Sequence, residues 1–314
     1  MRGISFVIPV KNSEKYLYQC LESLMGQNLE KELFEVVVVD NGSEDRSVSI
    51  AQEFATSIYK SNACNAGGVR NDGAVFAKFD VIAFIDSDCV VPKDWACKVI
   101  SYLDENADVG VVGGNYVSDP HGTWVEKAWS PLVNRFSGYV RSLPGGNMAF
   151  RRDVWVKTGG FNTSLYSAED DEICRRVREM GFKVCAKGEL GVIHLGNASR
   201  LTEFYQKISA HASTQIRAHG LWGDRVVMLT FAYVFAVLIT IVSLFSGLYV
   251  GFVFGVFIYL SVILAFMSRR IRLSGFSSFA PWIAEWLVLA NIFFIARGLG
   301  AIKEVMTSKR SVAE

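Results

Sequence analysis

From Val226 to Ser268 the chain runs for 43 residues without an Asp, Glu, Lys, Arg or His. As one helix this stretch would measure about 64 Å at 1.5 Å per residue, roughly twice the ~30 Å hydrocarbon core of a bilayer. Two spans are therefore expected rather than one. Ser246-Gly247 or Gly251 is the natural turn, giving membrane helices near 226–246 and 250–268. A buried helical hairpin of a soluble protein would need a second large apolar partner, which the sequence does not offer. Charge follows the same division: residues 1–225 carry 25 basic and 28 acidic side chains, whereas the last 89 residues carry 7 and 3. A water-facing first part and a bilayer-facing second part are implied. The net charge of +1 gives no broad electrostatic case for a nucleic-acid partner.

The stretch from Phe279 to Ala301 is also long enough to cross, but it carries Pro281, Glu285 and Arg297. Arg269-Arg270-Ile271-Arg272 follows the second span, as the positive-inside rule expects of a cytoplasmic loop. A third crossing would put the basic tail, with Lys303, Lys309 and Arg310, outside. A re-entrant or interfacial third segment is favoured, with a true span as the alternative if Glu285 and Arg297 face protein. The N-terminal run Ile4 to Val10 is too short and strand-like for a secretory signal, so the first 225 residues are expected in the cytoplasm, at the cytoplasmic membrane. All six cysteines lie there without zinc-knuckle or redox spacing, which favours reduced structural thiols.

Within that first part, strand-length apolar runs alternate with helical patterns, which predicts an α/β domain with a mainly parallel sheet. Phe6–Val10, Phe34–Val39, Ser57–Lys60 and Val81–Ile85 read as strands. Ser13 is placed to cap a helix bearing Leu17, Cys20, Leu21 and Leu24, and Pro92 to begin one bearing Trp95, Val99 and Leu103. After Val109–Val117 the regularity weakens, and the long segment 118–147 is expected to be functional or ordered by a ligand. Residues 198–225 mix apolar and basic side chains, as an amphipathic connector on the membrane surface or a helix packed on the domain would.

Ligands of open parallel sheets gather outside the carboxyl ends of the strands. Asp40 closes the second strand, and Asp86-Ser87-Asp88 closes the fourth. In extended backbone Asp86 and Asp88 would point to one face and could share a cation or straddle a diphosphate and its metal. Turn and cap roles explain each of these residues singly as well. A third acidic cluster, Glu169-Asp170-Asp171-Glu172, precedes Arg175, Arg176 and Arg178, an order the helix dipole also favours.

Six blocks in order change the weighing. Phe6-Val7-Ile8-Pro9-Val10-Lys11-Asn12, Val37-Val38-Val39-Asp40-Asn41-Gly42-Ser43, Asn65-Ala66-Gly67 with Arg70-Asn71, Phe84-Ile85-Asp86-Ser87-Asp88, Gly145-Gly146-Asn147-Met148-Ala149 with Gly159-Gly160-Phe161, and Glu169-Asp170 together resemble the family 2 glycosyltransferases, over roughly residues 4–195. The resemblance implies a GT-A nucleotide-sugar-binding domain over 1–197, followed by the connector over 198–225 and a membrane domain over 226–314. It also implies that Pro9 and Asp40 lie against the nucleoside and that Arg70 helps hold the pyrophosphate. Asp86 would sit near the ribose or a metal-bound water, and Asp88 would bind Mg2+ or Mn2+. His194 falls where many members place a histidine near the metal, although a lone histidine ending an apolar strand is more often structural; His121, His211 and His219 have no such context. Asp170 matches the base that takes the acceptor proton in one inverting displacement.

Processive synthases of this family carry Gln-any-any-Arg-Trp before their membrane helices, and the nearest match here, Gln215-Ile216-Arg217, lacks the Trp. The expectation is therefore a metal-dependent, membrane-anchored enzyme that moves one sugar at a time from a nucleotide-diphosphate sugar in cell-surface polysaccharide or glycan synthesis. Because the catalytic domain would be held at the bilayer, the expected acceptor is a polyprenyl-linked glycan or another lipid. The alternative is a membrane-tethered nucleotide-sugar binding or scaffold protein without transferase activity.

Overall fold

The computed structural model describes residues 3–54, 56–130, 136–165, 167–219, 225–274 and 279–310. The chain divides into two units, Met1–Asp119 with Leu132–Asn197, and Pro120–Pro131 with Ala198–Glu314.

In the first unit the order is β1 (Ile4–Val10), α1 (Leu17–Met25), β2 (Phe34–Asp40), α2 (Ser47–Glu53), β3 (Ser57–Lys60), α3 (Ala66–Phe76), β4 (Val81–Ile85) and β5 (Cys89–Val90). Then come α4 (Trp95–Glu105), β6 (Val109–Gly113) and β7 (Tyr116–Val117), and, after α5 (Trp124–Trp129) of the other unit, β8 (Gly138–Tyr139) and β9 (Asn147–Arg151). The unit closes with α6 (Arg152–Thr158), α7 (Glu169–Glu179), β10 (Lys183–Ala186) and β11 (Val192–His194). Among the described residues the large sheet has the order β3-β2-β1-β4-β9-β6-β10-β8, and β5-β11-β7 form a smaller one.

The apolar runs explain the middle of the large sheet. β1 and β2 are buried on both faces: Phe6, Ile8, Val36 and Val38 join one core cluster, while Val7, Val37 and Val39 join the other. Such two-sided burial suits parallel strands flanked by helices. β3, β2, β1 and β4 run parallel, as the sequence predicts. The sheet as a whole is mixed, because β9 inserts antiparallel between β4 and β6. On α1 the side chains of Leu17, Cys20, Leu21 and Leu24 are fully buried. Ser13 does not cap this helix with its hydroxyl; its carbonyl accepts from the Tyr16 and Leu17 N–H groups, and its Oγ lies 2.8 Å from Ser87 Oγ. Gly73 lets α3 settle onto the sheet, since a Cβ there would stand 2.4 Å from Val7 Cγ1 and 2.6 Å from Val39 Cγ2.

In the second unit α8 (Leu201–His219), α9 (Arg225–Ser246), α10 (Tyr249–Ser274) and α11 (Ile283–Arg310) follow one another. Among the described residues three helices are long and apolar enough to cross a membrane, over Val226–Ser246, Tyr249–Arg272 and Ala280–Val305. Gly247, at φ +70, makes the turn between the first two. The third segment is a short Pro281-containing 3-10 turn running into α11, which continues without a break to Arg310. Asn291 on α11 accepts hydrogen bonds from Tyr233 of α9 (2.7 Å) and Tyr259 of α10 (3.1 Å). α8 packs along α11: Ser213 Oγ donates to the Gly300 carbonyl at 3.1 Å, and Gln215 accepts from Arg297. Its Leu201 and Tyr205 side chains stay exposed. The side chain of Arg217, part of the block compared with processive synthases, lies outside the described residues.

Residues 120–131 fall inside the long segment that the sequence assigns to the first domain, yet they belong to the second unit. Their aromatic content is the reason. The Trp129 ring at the end of α5 meets Phe204 at 4.7 Å and Phe293 at 5.3 Å between ring centroids, and Arg270 donates to the Ala128 carbonyl.

Candidate active site

The carboxyl ends of β1, β2 and β4 open onto a cleft of about 420 Å³ in the first unit. Pro9, Asn41, Arg70, Asp86, Asp88 and His194 are among its lining residues. Asp40 stands one residue behind this wall. It is buried, its Oδ1 accepts the Ser43 N–H at 3.1 Å, and the neighbouring Asn41 reaches the cleft instead. Asn41 is held by its Nδ2, which donates to the carbonyls of Ser61 and Ala63.

Asp86 and Asp88 do not share an extended strand. β4 ends at Ile85, and the Cys89 N–H donates to the Asp86 carbonyl at 3.0 Å, so a turn separates the two carboxylates and sends them to different partners. Asp86 accepts from Arg70 Nη2 at 2.8 Å through Oδ1 and from the Tyr116 hydroxyl at 2.7 Å through Oδ2. Burial opposes its charge, but the Arg70 guanidinium and these hydrogen bonds outweigh it and hold the carboxyl below the usual range. Burial and the Asp86 charge push the Tyr116 phenol well above its ordinary value, so it stays a protonated donor.

Arg70 projects from α3 and is buried. Its other Nη donates to Glu169 Oε1 at 3.0 Å, and its guanidinium lies over the Phe161 ring at 5.6 Å. The arginine therefore ties the end of β4 to the start of α7. α3 also fixes the segment that leads into α7: Asn71 exchanges two hydrogen bonds with the Phe161 backbone, and Asn65, which caps α3, donates to the carbonyls of Thr163 and Leu165. At the N-cap of α7, Ala168 adopts a left-handed conformation at φ +60. Such strain in a residue with a Cβ concentrates at functional sites.

Asp170 follows in the first turn of α7. Its oxygens accept the Gly145 N–H at 3.2 Å and the Asp171 N–H at 2.9 Å. Burial, and then the neighbouring Glu169 charge, raise its pKa above the ordinary carboxyl value. A half-buried carboxylate held by backbone donors and made more basic is a competent proton acceptor.

Across the turn from Asp86, Asp88 Oδ2 lies 3.4 Å from His194 Nε2, at the end of β11. With Cys89 Sγ these ligand atoms all lie within 4.8 Å of one another. Cys89 is a soft ligand that suits a hard divalent cation less well than its neighbours, and burial, then the charges of Asp86 and Asp88, push its thiol well above the ordinary value. A carboxylate with an imidazole does suit a divalent cation that keeps open positions for other oxygen ligands. The buried Nδ1 of His194 has no hydrogen-bond partner among the described residues, so the second-shell acceptor that usually orients a ligating imidazole is not supplied by them. Gly196 permits this closeness, since a Cβ there would stand 1.9 Å from Asp88 Oδ2.

Residues 5–166, just over half of the chain, match the glycosyl transferase family 2. The chain belongs to this family. Its relatives include glycosyltransferase AglE of Haloferax volcanii, 28% identical over 192 residues, which cover 58% of this chain and 63% of that protein. Glucosyl-dolichyl phosphate glucuronosyltransferase of the same organism is 26% identical over 204 residues, covering 56% and 63%. The chain thus spans less than two thirds of the length of either relative. Among solved structures, mannosyltransferase PcManGT from Pyrobaculum calidifontis, in complex with GDP-Man and Mn2+, aligns over 96% of this chain and 87% of its own with a TM-score of 0.64 and 16% identity. The 1–349 fragment of S. aureus TarS aligns over 69% and 66% with a TM-score of 0.52 and 20% identity. These likenesses establish the GT-A fold.

In this family 2 domain the residues missed by sequence reasoning are Tyr116, Glu169 as a partner of Arg70, and the two asparagines of α3. Asn65 and Asn71 lie inside the sequence blocks that carry the resemblance, and Glu169 stands beside Asp170. Tyr116 carries no local mark, because its partner Asp86 lies thirty positions earlier.

Proposed function

We propose that the chain is a membrane-anchored transferase that moves one sugar, with inversion, from a nucleotide-diphosphate sugar to a lipid or lipid-linked acceptor. The observation that carries this reading is the division of labour among the acidic groups near one cleft. Arg70 is committed to Asp86 and Glu169, Asp88 is paired with His194, and Asp170 is held by the backbone N–H groups of Gly145 and Asp171. Four carboxylates against the buried Arg70 and the Lys11 that lines the cleft leave an excess of negative charge, which disfavours a bare diphosphate. Asp88 and His194 would hold a divalent cation, which supplies neutralisation of the charge growing on the leaving diphosphate.

On this reading Pro9 and Asn41 contact the nucleoside, with Asp40 bracing the turn that carries Asn41. Arg70 keeps Asp86 ionised and anchors the start of α7. Asp170 takes the proton from the acceptor hydroxyl as that oxygen attacks the anomeric carbon and the nucleoside diphosphate leaves. A single displacement with one base inverts the centre. The dolichyl phosphate-linked substrate named for one relative, and the covalent link to apolar helices, support a lipid acceptor. The basic cluster Arg269, Arg270 and Arg272 supports a cytoplasmic catalytic domain, and the unbroken α11 supports three crossings.

A panel of nucleotide sugars offered to the purified full-length protein tests this, with melting temperature read with and without Mn2+, because a ligand stabilises only the state it binds. One donor should raise the melting temperature in Mn2+, and Asp88→Ala should lose that metal-dependent part. An equal shift in excess chelator refutes the metal role, and no shift with any donor refutes the donor site. Binding without transfer to any lipid extract would favour the scaffold alternative.

A further inference from the structure

Tyr116 contacts Asp86, the Gly146 backbone and His194, yet is not among the residues that line the cleft. Its hydroxyl donates to Asp86 Oδ2 at 2.7 Å and accepts the Gly146 N–H at 3.1 Å. The Asp86 N–H in turn donates to the Gly146 carbonyl at 3.2 Å. Asp86, Gly146 and Tyr116 thus form a closed hydrogen-bonded ring. The neighbouring Gly145 N–H donates to Asp170, so the ring and the candidate base share one two-residue loop. The Tyr116 ring also lies 4.6 Å from the His194 imidazole, centroid to centroid.

We propose that Tyr116 is a positioning residue that clamps the Gly145-Gly146 loop between the donor-side carboxylate Asp86 and the base Asp170, while its ring backs His194. This rests on the transferase reading above. The clamp acts through distance and direction. With the hydroxyl gone, Gly146 N–H and Asp86 Oδ2 each lose a partner, and the loop can drift from Asp170. A carboxylate that loses a backbone donor becomes harder to ionise. A reacting group misplaced by about 1 Å costs on the order of 10² in rate.

Tyr116→Phe deletes only the oxygen and leaves the ring against His194. In the full-length enzyme, with Mn2+ and the nucleotide sugar that raises its melting temperature in the panel above, release of nucleoside diphosphate should fall about 10- to 100-fold, while the KM for that sugar changes less than about 3-fold, since the ring and Asp88 remain. The acid limb of the kcat against pH profile should move to higher pH as the Gly145 bond to Asp170 weakens. The limb position and KM do not depend on how much of the variant folds, so a lowered yield leaves both readable. Tyr116→Ala, which also removes the ring from His194, should in addition raise the Mn2+ concentration needed for half-maximal activity. A Tyr116→Phe enzyme with wild-type turnover and an unmoved acid limb overturns the clamp, as does a loss confined to thermal stability. A wild-type protein that turns over no donor instead refutes the transferase reading, and the clamp falls with it.

Discussion

Gly146→Ala is the sharpest single test of the geometry around Asp86. A Cβ at Gly146 would stand 2.0 Å from both Asp86 Cγ and Oδ2, whereas ordinary contact begins near 3.4 Å. The methyl group can be admitted only if the carboxylate or the loop retreats by about 1.4 Å, the difference between those distances. Asp86 has nowhere to go without breaking a bond to Arg70 or Tyr116. The Gly146 backbone is not left-handed, so the substitution adds no conformational strain of its own. Overpacking of this kind costs about 1–3 kcal/mol, and a displacement above 1 Å in the reacting array costs about 10² or more in turnover. Gly110→Ala supplies the control. Its Cβ would stand 2.9 Å from Phe182 Cβ and 3.0 Å from Val154 Cγ1, in the core. Both variants should lose thermal stability, but only Gly146→Ala should lose turnover, measured by release of nucleoside diphosphate. Equal turnover in the two variants would refute the claim that the Asp86 array is catalytically strict.

Asp170→Asn is nearly isosteric and cannot take a proton, so turnover should fall by about 10² to 10⁴ while donor binding, read by calorimetry, persists. Because burial raises the Asp170 pKa and the base must be ionised, wild-type turnover should rise with pH through a limb above the ordinary carboxyl range and flatten beyond it; a limb at or below that range contradicts the assignment. Cys64 is exposed and lines the cleft, whereas Cys20, Cys89, Cys174 and Cys185 are buried. A small alkylating reagent should modify the Cys64 peptide first by mass spectrometry, and a bound donor should slow that reaction; protection elsewhere but not at Cys64 would move the nucleotide out of this cleft.

Much of the fold is legible because its signals are local. The branched run at 34–39 becomes a strand buried on both faces, and the 43 uncharged residues become two helices parted at Gly247. What was not legible depends on distant partners. An Asp-any-Asp triplet looks the same whether its backbone is extended or turned, and here the Cys89 N–H to Asp86 carbonyl bond decides. Ser13 has the composition of a helix cap, yet its hydroxyl goes to Ser87, 74 positions away. Arg70 could be marked as a cation near a diphosphate, but nothing near it in sequence tells that two carboxylates already occupy its fork. Aromatic residues at 124–129 gave no hint of which unit they would join, because Phe204 and Phe293 that receive Trp129 lie far along the chain.

The polar residues of the third apolar segment bear on how the chain crosses the bilayer. By sequence Pro281, Glu285 and Arg297 argue against a span, since a charged side chain in hydrocarbon is costly unless satisfied. Two polar side chains of the segment find partners within the helical unit, as a span requires. Asn291 receives two tyrosine hydroxyls from α9 and α10 and donates to the Leu287 carbonyl, and Arg297 is buried and bonded to Gln215. Tyr259 lies 11 residues before Arg270, about 16 Å along the helix and so about half the thickness of a ~30 Å core. Asn291, in contact with it, shares that depth. From Asn291 the helix continues unbroken through Val305, about 21 Å further. That exceeds the remaining half thickness, and a re-entrant segment would have to turn back within it. Three crossings leave Ser274 on the side of the arginine cluster and Ser311 on the opposite one. In a background stripped of native cysteines, an impermeant thiol reagent on intact cells should label Ser311→Cys and spare Ser274→Cys. Labelling of Ser311→Cys only after permeabilisation would mean that α11 does not cross, and labelling of Ser274→Cys in intact cells would reverse the cytoplasmic assignment of the arginine cluster.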